Sequence, residues 1–121
     1  GVSPGATQRL LDACAEYELP LLPGAATASE VMALLEKGYS VQKFFPAEQA
    51  GGAPYLKSIG GPIPQVSFCP TAGIGLKNAT DYLGLKNILC VGGSWIAPKD
   101  AMARGDWALI TTLAAEAASL R

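Results

Sequence analysis

The chain has 121 residues, of which half are apolar and 16% are charged, and its net charge is −1. This composition is typical of a folded globular domain and excludes extended disorder. The basic residues form no cluster and no apolar stretch approaches the roughly 20 residues of a membrane span, so we expect neither nucleic acid nor a membrane as a partner. No histidine is present, which excludes Ser-His-Asp and Cys-His catalytic sites.

Three cysteines, Cys14, Cys69 and Cys90, lie on apolar segments. Their odd number favours reduced thiols and a cytoplasmic protein. Their spacing does not suit a zinc site, and we expect no metal and no cofactor. The chain starts with glycine, without a signal-peptide pattern, which suggests a piece of a longer protein.

Helices and short apolar strands alternate along the chain. Apolar residues at helical spacing predict a first helix over 8–17, with Thr7 as its N-cap. A short apolar run over 19–22 predicts a buried strand that ends in a Pro23-Gly24 turn. Thr27-Ala-Ser-Glu30 has the form of a capping box and starts a second helix, which Gly38 ends.

The same alternation continues to the end of the sequence. The further segments are a strand over 40–45, a short helix or turn over 51–58, a strand over 66–69, a short helix over 77–83, a strand over 87–91, an accessory helix over 98–104 and a closing helix over 107–120 with Asp106 as N-cap. This order predicts one α/β domain with parallel βα units, preceded by a strand remnant at Val2-Ser-Pro-Gly5. Half of an eight-stranded TIM barrel fits it, and so does a small doubly wound, flavodoxin-like sheet.

Lys43 is the one charged residue inside a predicted strand. Strand alternation places it on one face with Val41 and Phe45, and in a barrel that face points inward. An aromatic wall disfavours the charged amine and lowers its pKa, and the neutral amine is the form that attacks a ketone to give a Schiff base. The alternative is an edge-strand lysine that reaches solvent.

The turns after two predicted strands offer groups that bind anions. Thr71-Ala72-Gly73 and Gly92-Gly93-Ser94 present backbone amides and hydroxyls at the sheet edge where parallel α/β folds hold phosphate. A plain tight turn is the alternative for Gly92-Gly93-Ser94. Glu48, just past Pro46, is a candidate acid or base, although a solvated or helix N-terminal carboxylate is the more common role of such a residue.

Three motifs together resemble those of one enzyme family. Residues 41–48 (VQKFFPAE), 68–74 (FCPTAGI) and 91–95 (VGGSW) are similar, in order and spacing, to strand-end motifs of the class I 2-keto-3-deoxy-6-phosphogluconate (KDPG) and 4-hydroxy-2-oxoglutarate (KHG) aldolases. Ser3-Pro-Gly5 and Leu22-Pro-Gly24 resemble the two preceding strand ends of that family. The resemblance implies that residues 1–121 are the C-terminal (βα)4 half of a TIM barrel.

The resemblance also implies an activity and a site. Lys43 would form a Schiff base with KDPG, and cleavage would release pyruvate and glyceraldehyde 3-phosphate, as in a cytoplasmic lyase of the Entner-Doudoroff pathway of carbohydrate metabolism. The substrate-binding residues would be Phe45, Pro70 and Thr71. The phosphate-binding residues would be Ala72, Gly73, Gly93 and Ser94.

Two departures from the family pattern qualify this expectation. The family usually has Thr-Gly-Gly where this chain has Thr71-Ala72-Gly73, and a methyl group at Ala72 is expected to crowd the phosphate or to prevent a positive φ. The family takes its acid/base glutamate and a substrate-binding arginine from the first half of the barrel, so we expect little turnover from this chain alone.

A half barrel leaves its inner face and its sheet edges uncovered, which predicts a homo-oligomer. The family resemblance implies a trimer for the full-length protein, and a dimer is an alternative for the half. A half-barrel folding or design module without turnover is the alternative function. The choice among KDPG, its phosphogalactonate analogue and 4-hydroxy-2-oxoglutarate stays open.

Overall fold

The structure, a computed structural model, describes residues 1–120. The last residue of the predicted 1–121 domain lies outside the described residues. The elements, in chain order, are α1 (Gln8–Glu16), β1 (Gly24–Ala25), α2 (Ala28–Glu36), β2 (Val41–Phe44), α3 (Gly52–Ile59), β3 (Ser67–Pro70), α4 (Ala79–Leu83), a 3-10 helix (Ser94–Ile96), α5 (Lys99–Ala103) and α6 (Trp107–Ala118). The predicted alternation of helices and parallel strands is confirmed.

The sheet has its strands in sequence order, β1-β2-β3, and all pairs are parallel. Isolated parallel bridges extend it on both sides, from Val2 to Leu22 and from Ile88 to Phe68. Five segments therefore lie side by side in the order in which they occur along the chain. A barrel has this order, whereas a flavodoxin-like sheet places its first strand between the second and the third. The flavodoxin-like alternative is therefore wrong.

The first predicted strand is displaced along the chain. Residues 19–22 were expected to form it, but Leu19 is half exposed and β1 lies at Gly24–Ala25 instead. The expected Pro23-Gly24 turn is thus wrong, because Gly24 pairs with Lys43 within the sheet. A Cβ at Gly24 would collide with the carbonyl group of Pro4, so the glycine permits close approach of a neighbouring segment rather than a turn.

The helix starts follow the sequence closely. Thr7, Thr27 and Asp106 each accept a hydrogen bond from a backbone amide in the first turn of α1, α2 and α6. The capping box of Thr27 and Glu30 is complete in both directions. Such caps satisfy amide groups that have no partner inside the helix, and their signals are local in sequence.

The core lies between the sheet and its helices. On β2 the side chains of Gln42 and Phe44 are buried on the helix side, where Phe44 stacks on Tyr55 at 5.5 Å and meets the edge of Phe68 at 6.3 Å. Alternation then directs the remaining side chains of β2, those of Val41 and Lys43, to the opposite, open face. The packing of Phe44 in this way decides where Lys43 lies.

No helix within residues 1–120 is long and apolar enough to cross a membrane.

Candidate active site

Lys43 lies half-buried on the open face of the sheet. Its backbone amide donates to Pro23 O at 2.8 Å, and its Cα is paired with that of Gly24 on β1 and that of Cys69 on β3, so its position in the sheet is held from both sides. Its Nζ lies 4.9 Å from the centre of the Phe45 ring. A cationic nitrogen at this distance is attracted by the ring face. The expected orientation of Lys43 is confirmed, although its side chain is half-buried rather than enclosed.

Phe45 joins Lys43 to a cavity of about 330 Å³. The cavity is open to solvent and lies at the carboxyl ends of β2 and β3. The residues that line it are Phe45, Thr71, Ala72, Gly73, Ile74, Gly92, Gly93 and Ser94. Six of the seven substrate- and phosphate-binding residues expected from the sequence therefore lie around one cavity.

Pro70 is the residue that the structure does not bring there. It is fully buried, on the same side of β3 as Phe68, because strand alternation sends Cys69 to the open face instead. The side chain of Pro70, expected at the carboxylate end of the site, therefore does not line this cavity. Only the backbone of Pro70 reaches the region, where its carbonyl accepts a hydrogen bond from Gly92 N at 2.9 Å.

The cavity contains hydrogen-bonding groups that have no protein partner. Within residues 1–120 the amides of Ala72, Gly73 and Gly93 donate to no other protein group. The Oγ1 atom of Thr71 is buried and lacks a hydrogen bond. Because buried polar groups are nearly always satisfied, the buried Thr71 hydroxyl indicates a place for a polar ligand. Amides arranged around a concavity suit an anion.

Two glycines at the cavity wall leave no room for a side chain. A Cβ at Gly92 would collide with Cγ2 of Thr71, and a Cβ at Gly93 would collide with the ring of Trp95. Gly92 was named as part of the Gly-Gly-Ser turn but was not assigned to the site, and Ile74 was missed. The sequence contains no signal that Gly92 and Ile74 line the cavity, since their positions depend on how two strand ends meet.

Ala72 adopts φ +85°. The expectation that alanine would prevent a positive φ is therefore wrong, and the turn keeps the left-handed conformation that glycine favours. An L-residue in this region costs roughly 1–2 kcal/mol. The neighbouring Gly73 also has a positive φ, +76°, and a Cβ there would lie 2.5 Å from Cγ of Glu48.

Glu48 does not line the cavity. Its Oε1 accepts a hydrogen bond from the hydroxyl group of Tyr82, on the outer side of the loop that contains Gly73. The alternatives expected from the sequence were an acid or base at the site and a solvated or helix N-terminal carboxylate, and Glu48 is an exposed residue. Neither included this pair of residues, which lie 34 positions apart.

Cys69 shares the open face with Lys43. Burial raises the pKa of Cys69 to about 12, a hydrogen bond with the Cys90 thiol acts in the same direction, and the charge of Lys43 opposes both. A thiol with so high a pKa is a poor nucleophile at neutral pH. Lys43 is therefore the better nucleophile candidate on this face.

Comparison with known proteins identifies the family. The family model described as KDPG and KHG aldolase matches residues 1–113. The chain belongs to this aldolase family. A 2-dehydro-3-deoxy-phosphogluconate aldolase from Dickeya dadantii is 53% identical over 96% of the chain and 54% of that relative. A KHG/KDPG aldolase from Escherichia coli is 52% identical, with the same shares covered. The chain thus spans about half the length of the curated relatives that it matches.

Solved aldolase structures confirm the fold. A KDPG aldolase from Legionella pneumophila, with pyruvate captured as a covalent carbinolamine, superposes with a TM-score of 0.91 at 52% identity, over 96% of this chain and 56% of that one. An aldolase from Zymomonas mobilis with 3-phosphoglycerate gives a TM-score of 0.89 at 47% identity, over 99% and 56%. The prediction of a part of an aldolase barrel is therefore confirmed.

Proposed function

We propose that this chain supplies the Schiff-base lysine and the phosphate site of a class I aldolase that cleaves KDPG, and that it forms the C-terminal half of the barrel. The single observation that carries the proposal is the contact between Lys43 and Phe45, because Phe45 connects the amine to the cavity with unsatisfied amides. The covalent pyruvate in the Legionella aldolase and the 3-phosphoglycerate in the Zymomonas aldolase support a keto-acid site beside a phosphate site.

In the proposed reaction the neutral Nζ of Lys43 attacks the C2 ketone of the substrate and gives a carbinolamine, which loses water to form an iminium ion. The C3–C4 bond then breaks and its electron pair moves into the iminium, while the C4 hydroxyl loses its proton and becomes the aldehyde of glyceraldehyde 3-phosphate. The resulting enamine takes a proton at C3, and water releases pyruvate and regenerates Lys43.

Each part of the site has a role in this scheme. The Phe45 ring stabilises the positive charge of the iminium ion, and this charge draws electrons from the C3–C4 bond. The Thr71 hydroxyl binds the keto-acid end, and the amides of Ala72, Gly73 and Gly93 with the hydroxyl of Ser94 bind the phosphate. Glu48, the candidate acid or base expected from the sequence, accepts a hydrogen bond from Tyr82 and does not line the cavity. General acid/base help is worth about 10²–10⁴-fold, so we propose slow turnover for this chain alone.

We also propose a homo-oligomer in the cytoplasm. Side chains on or next to the open face, such as Val2, Val41 and Leu89, are 64%, 40% and 45% exposed, which supports burial against another copy. The three free cysteines support a reducing compartment. Sedimentation of the wild-type chain and of Val41→Glu tests the homo-oligomer proposal. We expect the wild-type chain to sediment as an oligomer and Val41→Glu as a monomer. A monomer in both samples would contradict the proposal.

Borohydride trapping with pyruvate tests the catalytic proposal. We expect one reduced pyruvyl group on the intact chain, located at Lys43 by peptide mapping and lost in Lys43→Ala. Lys57→Ala, which removes an exposed lysine on α3, is the matched control and should label fully. If the folded chain forms no adduct, the Schiff-base proposal fails and the alternative, a half-barrel folding module without turnover, is favoured.

A further inference from the structure

The side chain of Glu48 lies behind the loop that contains the cavity amides. Its Oε1 accepts a hydrogen bond from Tyr82, a residue that belongs to the core and is 1% exposed. Burial raises the pKa of Tyr82, and the hydrogen bond to Glu48 and its charge raise it further. The phenol therefore stays protonated and remains the donor in its hydrogen bond to Glu48.

The phosphate loop, residues 71–75, rests on Glu48 and the residue before it. Ala47 N donates to Thr71 O at 2.8 Å, and Glu48 N donates to Ala72 O at 3.3 Å. The side chain of Glu48 also fills the space beside Gly73, where a Cβ would lie 2.5 Å from its Cγ. The backbone and the side-chain stem of Glu48 together form one side of the support.

Asn78 forms the other side. Its Nδ2 donates to Gly73 O at 3.0 Å, and its Oδ1 accepts from Gly75 N at 2.9 Å. Three successive carbonyl groups, those of Thr71, Ala72 and Gly73, therefore point toward Ala47, Glu48 and Asn78. None of these three supporting residues lines the 330 Å³ cavity.

The direction of the carbonyl groups decides the direction of the amides. In a trans peptide the N–H group points opposite to the C=O group of the same unit. The amides of Ala72, Gly73 and Ile74 must therefore point away from the support, toward the cavity, and within residues 1–120 they donate to no protein group. Successive amides aimed at one concavity form an anion site.

We propose that Glu48 and Tyr82 are positioning residues for the phosphate of the substrate: Tyr82 holds Glu48 behind the loop, and Glu48 holds the loop with its amides directed at the anion. This inference rests on the proposed function for the identity of the anion. The hydrogen bond also keeps a carboxylate on the far side of the loop, where its repulsion of a phosphate is smallest.

The test uses inorganic phosphate as the probe, with Kd measured by calorimetry, beside pyruvate trapping at Lys43 in the same samples. Tyr82→Phe and Glu48→Ala are expected to weaken phosphate binding about tenfold, because each removes the hydrogen bond that holds the Glu48 side chain against the loop. Pyruvate carries no phosphate, so its trapping should stay within twofold of the wild-type value.

Two conservative variants complete the design. Glu48→Gln retains an oxygen that accepts from Tyr82, and should bind phosphate at least as tightly as wild type. Tyr55→Phe removes the hydroxyl of a different tyrosine, one whose ring stacks on Phe44, and should change neither phosphate affinity nor pyruvate trapping. Phosphate affinity that is unaltered in Tyr82→Phe and Glu48→Ala, or lost in Glu48→Gln, would overturn the inference.

Two further outcomes overturn it in a different way. If phosphate affinity, pyruvate trapping and melting temperature all fall together, Tyr82 and Glu48 have a general structural role. If the wild-type chain binds no phosphate, the loop is not a phosphate site. Failure of the Schiff-base part of the proposed function is distinct from all of these, because it appears as the lack of a Lys43 adduct in the wild-type chain.

Discussion

Lys43 and Cys69 stand directly opposite each other in the parallel pairing of β2 and β3, and both side chains lie on the open face of the sheet. The amine and the thiol therefore influence each other's charge. The positive charge of Lys43 favours the thiolate, whereas burial and the Cys90 hydrogen bond favour the thiol, and the latter two dominate. The relationship makes Cys69 a reporter for the state of the lysine.

Cys69 is predicted to react slowly with iodoacetamide in the folded chain. At pH 9 a cysteine with the ordinary pKa of 9.0 is half ionised, whereas a pKa of about 12 leaves about 0.1% thiolate, which is roughly 500-fold less. The greater nucleophilicity of a more basic thiolate offsets about 20-fold of this difference. We expect Cys69 to label about 20-fold more slowly in the folded chain than in urea, as measured by peptide mass spectrometry.

Lys43→Met provides a specific control for this prediction. Removal of the opposing charge should slow the labelling of Cys69 further, and equal rates would show that the amine does not act on the thiol.

The raised pKa of Cys69 also makes the stability of the chain depend on pH. The pKa of the Cys69 thiol is higher in the folded chain than in the unfolded chain. Its contribution to the free energy of unfolding is therefore fully present below pH 9 and is lost as the pH rises toward 12.

Ala72→Gly is predicted to stabilise the chain. Ala72 is held at φ +85°, where an L-residue is strained by roughly 1–2 kcal/mol. Glycine removes this strain but adds about 0.5–1 kcal/mol of unfolded-state entropy, so the net gain in the free energy of unfolding is about 0.5–1 kcal/mol in urea titration. Ala33→Gly, on the exposed face of α2, is the control and should lose about 1 kcal/mol.

The parts of the fold that the sequence predicted depend on neighbours along the chain. The capping box of Thr27 and Glu30 spans three residues, and the face of Lys43 follows from alternation over a strand of four. The motifs around Lys43, Thr71 and Gly93 were recognisable for the same reason. Each of them is a continuous stretch whose chemistry and order can be compared with a family directly.

The parts that the sequence did not predict depend on contacts between distant residues. Nothing near Gly24 shows that it approaches Pro4, and so it was interpreted as a turn rather than a strand residue. The hydrogen bond between Glu48 and Tyr82 likewise joins separate elements. Pro70 was assigned to the site because it belongs to a motif, whereas alternation along β3 buries its side chain. Tertiary packing decided the first two cases, whereas the burial of Pro70 follows from the local alternation of the strand.

Gln42→Met is predicted to destabilise the chain despite its apolar replacement. Gln42 is fully buried, and its Nε2 donates to Val31 O at 3.0 Å and Tyr39 O at 2.9 Å. Methionine matches its length but donates nothing, which deprives buried carbonyl groups of a partner and should lower the free energy of unfolding by about 1–3 kcal/mol. Gln65→Met at an exposed position is the control, and an equally small effect at both sites would contradict the prediction.

Gly92→Ala is predicted to disturb the cavity wall. A Cβ at Gly92 would overlap Cγ2 of Thr71, so one strand end must move, and overpacking of this kind costs about 1–3 kcal/mol. Gly75→Ala is the matched control, since nothing lies within 4 Å of the added carbon and its φ is not positive. The free energy of unfolding of the two variants should therefore differ by at least about 1 kcal/mol.

Thr71→Ser separates the steric effect from other consequences of Gly92→Ala. Serine removes the Cγ2 methyl group that causes the overlap but keeps the buried hydroxyl group. Combined with Gly92→Ala, it should recover most of the lost stability, so that the double-mutant cycle gives a coupling of about 1 kcal/mol or more. If the effects of the two substitutions on the free energy of unfolding simply add, the strand ends at Thr71 and Gly92 lie farther apart than in this structure. In that case Thr71 and Gly92 would not form a shared wall for the phosphate.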